Sequence, residues 1–249
     1  MPLVAEILTM LESQVLSISF NRAEKMNAIT RSMYGQLAQE LNTADQEFGI
    51  RAVVITSEGD HFTAGNDITD FLEHPPTAED STVAAFLSAL HNFTKPLIIA
   101  VKGNAVGVGT TMLLHADIVV ASENAKFSLP FTTLGLVPEA GSTLLLTQKI
   151  GYQRAFEVFV MGEKITGKQA VELGLANQAF ASSDEVLSTA RQKAEILAKK
   201  SVSSVRKTKD LMRNATEILA RIQQENIHFS NRLQTDEVKA ILRKFVHKQ

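Results

Sequence analysis

Three segments of the sequence combine glycine with polar or acidic residues in patterns that could carry chemistry. Residues 61–68 read HFTAGNDI, residues 103–109 read GNAVGVG, and residues 135–142 read GLVPEAGS. Glycines between a strand and a helix let the backbone approach a ligand closely, and the free N–H groups of a helix start attract negative charge. Glu139 in the third segment has apolar neighbours, and burial among them would raise its pKa and suit it to proton transfer.

Each segment also has a structural interpretation. The spacing in GNAVGVG matches neither a P-loop nor GxGxxG, so this segment could be a tight turn with packing glycines. Residues 61–68 could form an Asx-type turn that caps the next helix. Pro138 and Glu139 are typical of the first turn of a helix. The residues alone leave these alternatives open.

Several chemistries are excluded or poorly supported. The chain has no cysteine, which excludes a thiol nucleophile, a disulfide framework and a cysteine-based metal site. Its six histidines form neither HExxH nor a close ligand pair, and GxSxG does not occur. His115 lies in an apolar helical run and is predicted to be a hydrogen-bonded core residue. The basic residues of 202–213 are interpreted as a solvated face, or as weak attraction for an anionic cofactor.

The hydrophobic pattern predicts the elements that must position these segments. Leu16, Ile18 and Phe20 alternate with serines, which is typical of a strand with one buried face. We predict strands at residues 6–11, 15–20, 51–57, 97–101, 117–121 and 125–128. We predict helices that begin at Thr30 and at Pro138, a helix with Phe86, Leu90 and Phe93 on one stripe, and helices at 152–161, 167–173, 184–199, 202–213, 215–232 and 236–247. Strands alternating with helices over the first ~180 residues indicate an α/β core with parallel strands.

Composition limits the partners and the compartment. The 249 residues are 45% hydrophobic and carry a formal net charge of -2, whereas proteins that bind nucleic acid usually have a basic excess. No apolar run approaches the ~20 residues that span a bilayer, so we expect no membrane partner. The N-terminal residues lack the basic pattern of targeting peptides, and the last residues are not a peroxisomal signal. We therefore expect a cytoplasmic protein.

In this order, the segments resemble the crotonase family, which comprises enoyl-CoA hydratases, isomerases and their relatives. The matching stretches are NRAEKMNA at 21–28, FTAGNDI at 62–68, KPLI at 95–98, the glycine cluster at 103–109, ADI at 116–118, the stretch from Thr166 to Leu175, and Phe245. The resemblance implies a crotonase-like spiral of ββα units over residues 1–195. It implies a helical C-terminal region over residues 196–249 that forms homotrimers, which in many members pair into hexamers.

The resemblance also implies an acyl-CoA substrate, no separate cofactor and no metal, because coenzyme A is part of the substrate. The backbone amides of Ala64 and Val108 would form an oxyanion hole around the thioester oxygen, and Glu139 would be the catalytic residue. The residues that would bind the acyl group or coenzyme A are Lys25, Met26, Gly65, Asn66, Asp67, Ile68, Gly107, Phe131, Leu136, Phe245 and Lys248.

Two departures from the hydratase pattern favour another reaction. Hydratases hold a water with two glutamates, whose positions match Thr111 and Phe131 here. Glu139 instead matches the catalytic glutamate of peroxisomal-type Δ3,Δ2-enoyl-CoA isomerases. The resemblance therefore favours isomerisation of 3-enoyl-CoA to 2-trans-enoyl-CoA, with Phe131 and Leu136 excluding water. A hydratase-like reaction and a non-catalytic acyl-CoA-binding role stay open as alternatives. A further departure is Lys102, where relatives often have asparagine.

Overall fold

The computed structural model describes residues 5–76 and 81–246. Within them the strands are β1 Ile7–Glu12, β2 Val15–Phe20, β3 Ala52–Ser57, β4 Leu97–Val101, β5 Asn104–Val106, β6 Ile118–Ser122, β7 Lys126–Ser128, β8 Ile165–Thr166 and β9 Gln178–Phe180. The helices are α1 Arg31–Gln46, α2 Ile68–Glu73, α3 Thr82–Asn92, α4 Val108–Thr111, α5 Ser142–Ile150, α6 Tyr152–Phe156, α7 Gly167–Glu172, α8 Ser183–Ala198, α9 Val202–Met212, α10 Ala215–Leu233 and α11 Asp236–Val246. The predicted strands, and the C-terminal helices as far as the structure describes them, are confirmed to within one residue at each end; for the helix predicted at 152–161, α6 continues as a π-helix over Glu157–Met161.

The strands form two sheets. The larger sheet has the order β1-β2-β3-β4-β6-β9, in which β1 is antiparallel to β2 and the other neighbours are parallel. The smaller sheet has the order β5-β7-β8, with β5 and β7 parallel. The predicted α/β core with parallel strands is therefore confirmed.

Consecutive units of the chain add one strand to each sheet. The first of these units is β4, β5 and α4, and the next is β6, β7 and α5. Because β4 pairs with β6 and β5 pairs with β7, the second unit stacks on the first. An isolated bridge between Thr63 and Ala105 brings the chain that follows β3 beside β5 in the same way. This repetition is the predicted crotonase-like spiral of ββα units.

Helix α8 covers one face of the larger sheet with small side chains. Ala190 and Ala194 are fully buried against Val54, Ile98 and their neighbours. The opposite face carries the main core, into which α1 and α3 pack. The predicted division between residues 1–195 and 196–249 lies inside α8, and this division stays a prediction. No helix in the two described ranges is long and apolar enough to cross a bilayer.

The basic face of α9 is docked onto the core. Lys209 Nζ donates to the carbonyl of Lys95 and to the carboxylate of Asp117, both at 2.8 Å, and its side chain is 9% exposed. Arg206 donates to a backbone carbonyl of α1, and Arg213 reaches a buried histidine ring. The interpretation of this face as solvated is wrong for Lys209 and Arg213, because their side chains are largely buried against the core, and it holds for exposed Lys207. Arg206 is in between, with a side chain that is 38% exposed.

The buried Lys95 generates the first prediction. Its Nζ donates to the carbonyls of Ala44, Glu47 and Ile50 at 2.5–2.7 Å, where α1 turns toward β3. Lys95→Met would leave these carbonyls without their donor, and we expect the free energy of unfolding to fall by about 3 kcal/mol in urea denaturation. Lys199→Met removes an exposed ammonium and should change it by less than about 0.5 kcal/mol. Equal effects of the two substitutions would contradict the assignment.

Candidate active site

Three loops meet at the carboxyl ends of the adjacent strands β2, β3 and β4. The N–H of Thr63 donates to the carbonyl of Asn104 at 3.0 Å, and the N–H of Val106 donates back to Thr63 O at 3.1 Å. The hydroxyl of Thr63 also donates to Asn27 O at 2.6 Å. The glycine-rich segments 61–68 and 103–109 are therefore one rigid unit rather than two separate turns.

Asn27 anchors the first of these loops. Its amide nitrogen donates to the carbonyls of Glu58 and His61 at 2.9 and 2.8 Å, and its side-chain oxygen accepts from Arg22 N at 2.8 Å. Asn27 and its neighbour Met26 both have positive φ, at 55° and 49°. A left-handed pair of this kind is costly, and the three hydrogen bonds of the buried Asn27 side chain hold it in place.

The amide of Ala64 is already used within this unit. Its N–H donates to Met26 O at 2.9 Å, so the prediction that it binds the thioester oxygen is wrong. The N–H of Asn66, two residues on, has no acceptor within residues 5–76 and 81–246. The amides on either side of it donate within the protein at 3.0 Å. Asn66, and not Ala64, offers a free backbone donor beside the cavity that Glu139 lines.

The amide of Val108 begins helix α4 and has no acceptor in the part of the chain that the structure describes. Gly107 before it has φ 56° and ψ -118°, a conformation open essentially only to glycine, and its own N–H donates to Ser128 O at 2.9 Å. The predicted roles of Gly107 and Val108 in binding are not tested by this geometry, but the free amide they require is present.

Glu139 lies in a turn before α5. The prediction that a helix begins at Pro138 is wrong, because α5 begins at Ser142 and both Ala140 and Gly141 are left-handed, with φ 63° and 72°. The Glu139 side chain is 6% exposed. The Thr111 hydroxyl donates to its Oε1 at 2.6 Å. Thr111, at the position of the first hydratase glutamate, is thus a direct partner of the candidate catalytic carboxylate.

The surroundings of Glu139 favour its protonated form. Burial raises the pKa of Glu139 from 4.5 to about 7, the hydrogen bond from Thr111 lowers it, and the charge of Glu225 raises it further. Tyr34 is also buried, and burial together with the charge of Glu139 raises the pKa of its hydroxyl. That hydroxyl donates to the side-chain oxygen of Asn66. A carboxyl with a pKa of about 7 is available both as a base and as an acid at neutral pH.

His115 holds the turn that carries Glu139. Its Nε2 donates to Ala140 O at 2.8 Å, and Arg213 lies 3.3 Å from its Nδ1. Burial lowers the pKa of His115 to about 3, so the ring is neutral. The prediction of a hydrogen-bonded core histidine is confirmed, and the buried Nε2–H has Ala140 O as its acceptor.

A cavity of about 620 Å³ opens beside Glu139, within the usual range for small-molecule sites. Asn66 and Tyr34 line it, as do side chains of α3 and of α10. Phe131 and Leu136 are both 6% exposed and belong to the core, and they are not among the side chains that line this cavity. Within residues 5–76 and 81–246, no group of three or more histidine, aspartate or glutamate side chains could hold a metal.

The remaining predicted binding residues are spread over several elements. The Asp67 carboxylate pairs with Arg22 at 2.7 Å and accepts from two amides of α2, so it caps this helix as the structural interpretation predicts. Burial opposes its ionisation, but these hydrogen bonds hold the pKa of Asp67 below its usual value. Lys25, Met26, Gly65 and Ile68 lie in the same group of loops or at the start of α2, and Phe245 is 42% exposed on α11. Lys248 lies outside the described residues.

Sequence reasoning assigned none of three residues to this site. They are Tyr34, which fixes the Asn66 side chain, Arg213, which contacts His115 from the end of α9, and Glu225, which reaches the Glu139 turn from α10. Each contact spans more than 30 residues of sequence, and no local pattern announces it.

The chain matches one family of known proteins in sequence and resembles solved structures of similar chains. The model of the family described as enoyl-CoA hydratase/isomerase matches residues 11–249. The chain is similar to 2,3-dehydroadipyl-CoA hydratase of Escherichia coli (strain K12), with 35% identity over 216 residues that cover 86% of this chain and 84% of that protein. It is similar to enoyl-CoA delta isomerase 2 of Homo sapiens, with 35% identity over 179 residues that cover 69% of this chain and 45% of that protein. The structure of Pseudomonas aeruginosa OdaA is similar with a TM-score of 0.95 and 42% identity, over 98% of this chain and all of that one.

The raised pKa of Glu139 generates a stability prediction. Between pH 4.5 and about 7 the unfolded chain releases this proton while the folded chain keeps it, so folding loses stability as pH rises through this interval. The loss is about 3 kcal/mol when complete. Glu139→Gln removes the ionisable group and with it this loss of stability. We therefore expect the variant to be more stable than wild type at pH 8 and to lose this advantage at pH 4.5. Urea denaturation at both pH values measures the difference, and a variant without added stability at pH 8 would contradict the assignment.

Proposed function

The chain belongs to the enoyl-CoA hydratase/isomerase family, and we propose that it converts a 3-enoyl-CoA into the 2-trans-enoyl-CoA. The observation that carries the proposal is the state of Glu139. It is a buried carboxyl with a pKa of about 7 that lines a cavity beside a free backbone amide. One such group can take a proton from one carbon and return it to another.

The proposed reaction is an intramolecular proton shift. Ionised Glu139 removes a proton from C2, and the electrons of that C–H bond move into the C2–C1 bond while the thioester oxygen takes the negative charge. The dienolate then re-forms the carbonyl as the protonated Glu139 delivers the same proton to C4, which leaves the double bond between C2 and C3. No atom is gained or lost, and no cofactor beyond the CoA thioester itself is required.

The negative charge on the thioester oxygen needs fixed donors. We propose the backbone amides of Asn66 and Val108 for this role, in place of the pair that includes Ala64. Both amides are free of partners among the described residues, and both belong to the loops that are hydrogen-bonded into one unit. Preorganised donors of this kind are typically worth ~3 kcal/mol each in the transition state.

Hydration is the second candidate, because the Escherichia coli relative is named as a hydratase. Water addition needs a group that activates water and a group that protonates the substrate. The positions that resemble the two hydratase glutamates hold Thr111 and Phe131, and the Thr111 hydroxyl is engaged with Glu139. A purely acyl-CoA-binding role explains less, since a buried carboxyl with so few partners is costly to keep without a use.

Replacing Glu139 tests the isomerase proposal. We expect Glu139→Gln to lower kcat for 3-enoyl-CoA by about 10³-fold, because the amide can neither accept nor return the proton. Binding of CoA should persist, as measured by calorimetry. In the wild type, kcat/KM should rise with pH through about 7, since the reaction begins with the ionised carboxylate of the free enzyme. Unchanged turnover in the variant would sink the proposal.

A matched assay separates the two reactions. Wild-type protein given 2-enoyl-CoA should form 3-hydroxyacyl-CoA much more slowly than it consumes 3-enoyl-CoA. Thr111→Val serves as a companion variant: it removes the hydrogen bond that favours ionised Glu139, so the midpoint of the pH profile should move upward. Rapid hydration by the wild type would establish the second candidate in place of the first.

We further propose that the chain forms homotrimers, which could pair into hexamers, through the surface around α9. An apolar groove of about 800 Å³ lies there, with Leu114, Leu145 and Met212 among its lining. Met212 is 80% exposed, and its neighbour Leu211 is 77% exposed. Exposed apolar side chains of this kind at a groove are typical of a surface that another chain covers.

Light scattering measured on the protein as it elutes from a size-exclusion column gives the mass of the assembly and tests this proposal. For the wild type we expect a mass of three or six times the 27.2 kDa of one chain. Met212→Glu should shift the mass toward a single chain, because it places a charge in the apolar groove. Phe48→Glu is the matched control, since Phe48 is 98% exposed and is not among the residues that line the groove, and it should leave the mass unchanged. A wild-type mass of one chain would refute the proposal.

A further inference from the structure

Glu225 caps helix α5 from another helix. Its Oε2 accepts the N–H of Gly141 at 2.6 Å, and its Oε1 accepts the N–H and the hydroxyl of Thr143 at 2.9 and 2.5 Å. The N-cap position of α5 is Gly141, which has no side chain to satisfy these amides itself. The carboxylate that does so lies 84 residues later in the chain, on α10.

The capped amides are the continuation of the Glu139 turn. Gly141 is two residues after Glu139 and is left-handed, like Ala140 between them. Any side chain at Gly141 would press on Ile218 and Ile222 of α10. Helix α10 therefore touches this turn closely, and the position of Glu139 depends on where Glu225 holds Gly141.

Glu225 is also an ionisable group in an unusual place. It is 5% exposed. Burial raises the pKa of Glu225, while the hydrogen bonds from Thr143 and Gly141 and the charge of Arg221 lower it. Arg221, one turn earlier on α10, donates to the Thr143 hydroxyl at 3.1 Å. Glu225 in turn is a negative charge that Glu139 experiences.

We propose that Glu225 is a positioning residue for the reaction: it fixes the turn that carries Glu139 and places a second negative charge beside that carboxyl. A structural cap alone would need only acceptors, and a serine or asparagine at the helix start would supply them. A buried carboxylate does something more, because its charge opposes the ionisation of its neighbour. The charged group that faces this pair is Arg221 on α10. The neutral Tyr34 hydroxyl faces it from α1, and the neutral His115 reaches the turn through Ala140 O.

The inference rests on the proposed function of Glu139, so its first test does not use the reaction. In substrate-free protein with ¹³C-labelled glutamate, the Glu139 carboxyl is assigned by its loss in Glu139→Gln and titrated by NMR. We expect its titration midpoint to fall in Glu225→Gln, since a negative charge is lost. In Arg221→Gln we expect the titration midpoint of Glu225 itself to rise, because Arg221 is a positive charge that lowers the pKa of Glu225.

Kinetics supply the second readout. Glu225→Gln should lower kcat for 3-enoyl-CoA several-fold while KM changes little, and the acidic limb of its pH profile should move to lower pH. Glu217→Gln is the matched control, because it neutralises the other carboxylate of α10 at its exposed first turn and should leave both readouts at wild-type values. If Glu225→Gln fails to fold by circular dichroism, the wild-type titration decides: ionisation of Glu225 should perturb the Glu139 carboxyl signal, and a Glu139 curve that shows no inflection where Glu225 titrates would overturn the proposal.

The outcomes are distinct. A Glu139 midpoint equal to wild type in Glu225→Gln would overturn the proposal and leave Glu225 as a structural cap. Shifted midpoints in a protein that does not isomerise 3-enoyl-CoA would overturn the proposed function and support the role of Glu225 at the turn. Shifted midpoints with a matching shift in the kinetic profile support both.

Discussion

The burial of the Glu139 carboxyl is the constraint on which the rest of the site depends. A carboxylate removed from water needs donors or an opposite charge. Within the described residues Glu139 accepts one hydrogen bond, from Thr111, and faces a second carboxylate, whereas Glu225 accepts three. Burial, which a single hydrogen bond offsets only in part and the charge of Glu225 reinforces, brings the pKa of Glu139 to about 7. A proton shuttle must be base and acid in one cycle, and a well-solvated or salt-bridged glutamate would be only a base at neutral pH.

The oxyanion donors follow from a different constraint, since a backbone amide is useful only if nothing else in the protein claims it. Within residues 62–67 every amide donates to a neighbouring loop or to the loop itself except that of Asn66, and the N–H of Val108 at the start of α4 also has no acceptor among the described residues. Asn27 and Gly107 accept unusual backbone conformations to make this arrangement possible. The hydrogen bonds between the loops make them rigid and also hold the two amides in conformations where the protein offers them no acceptor.

The sequence predicts the framework better than the contacts. Period-two alternation and continuous apolar runs located the strands closely, because burial on one or both faces leaves a direct trace in residue types. The choice of Ala64 failed because the acceptor that occupies its amide, Met26 O, belongs to a loop that is distant in sequence. The helix at Pro138 failed because a proline followed by an acid is also compatible with a turn, and nothing in the letters shows that Ala140 is left-handed.

The C-terminal helices therefore belong to the site as well as to the surface. Helix α10 provides one wall of the cavity and the carboxylate that caps the turn at Gly141. Arg213, directly after α9, contacts His115, and His115 in turn holds Ala140 O. Both residues after Glu139 are thus held by hydrogen bonds that involve the C-terminal helices. His115, which Arg213 contacts, holds Ala140, and Glu225 of α10 holds Gly141. Left-handed backbone at a non-glycine residue such as Ala140 persists only where its surroundings impose it. A change in the packing of α10, or of the end of α9, would therefore move the Glu139 carboxyl.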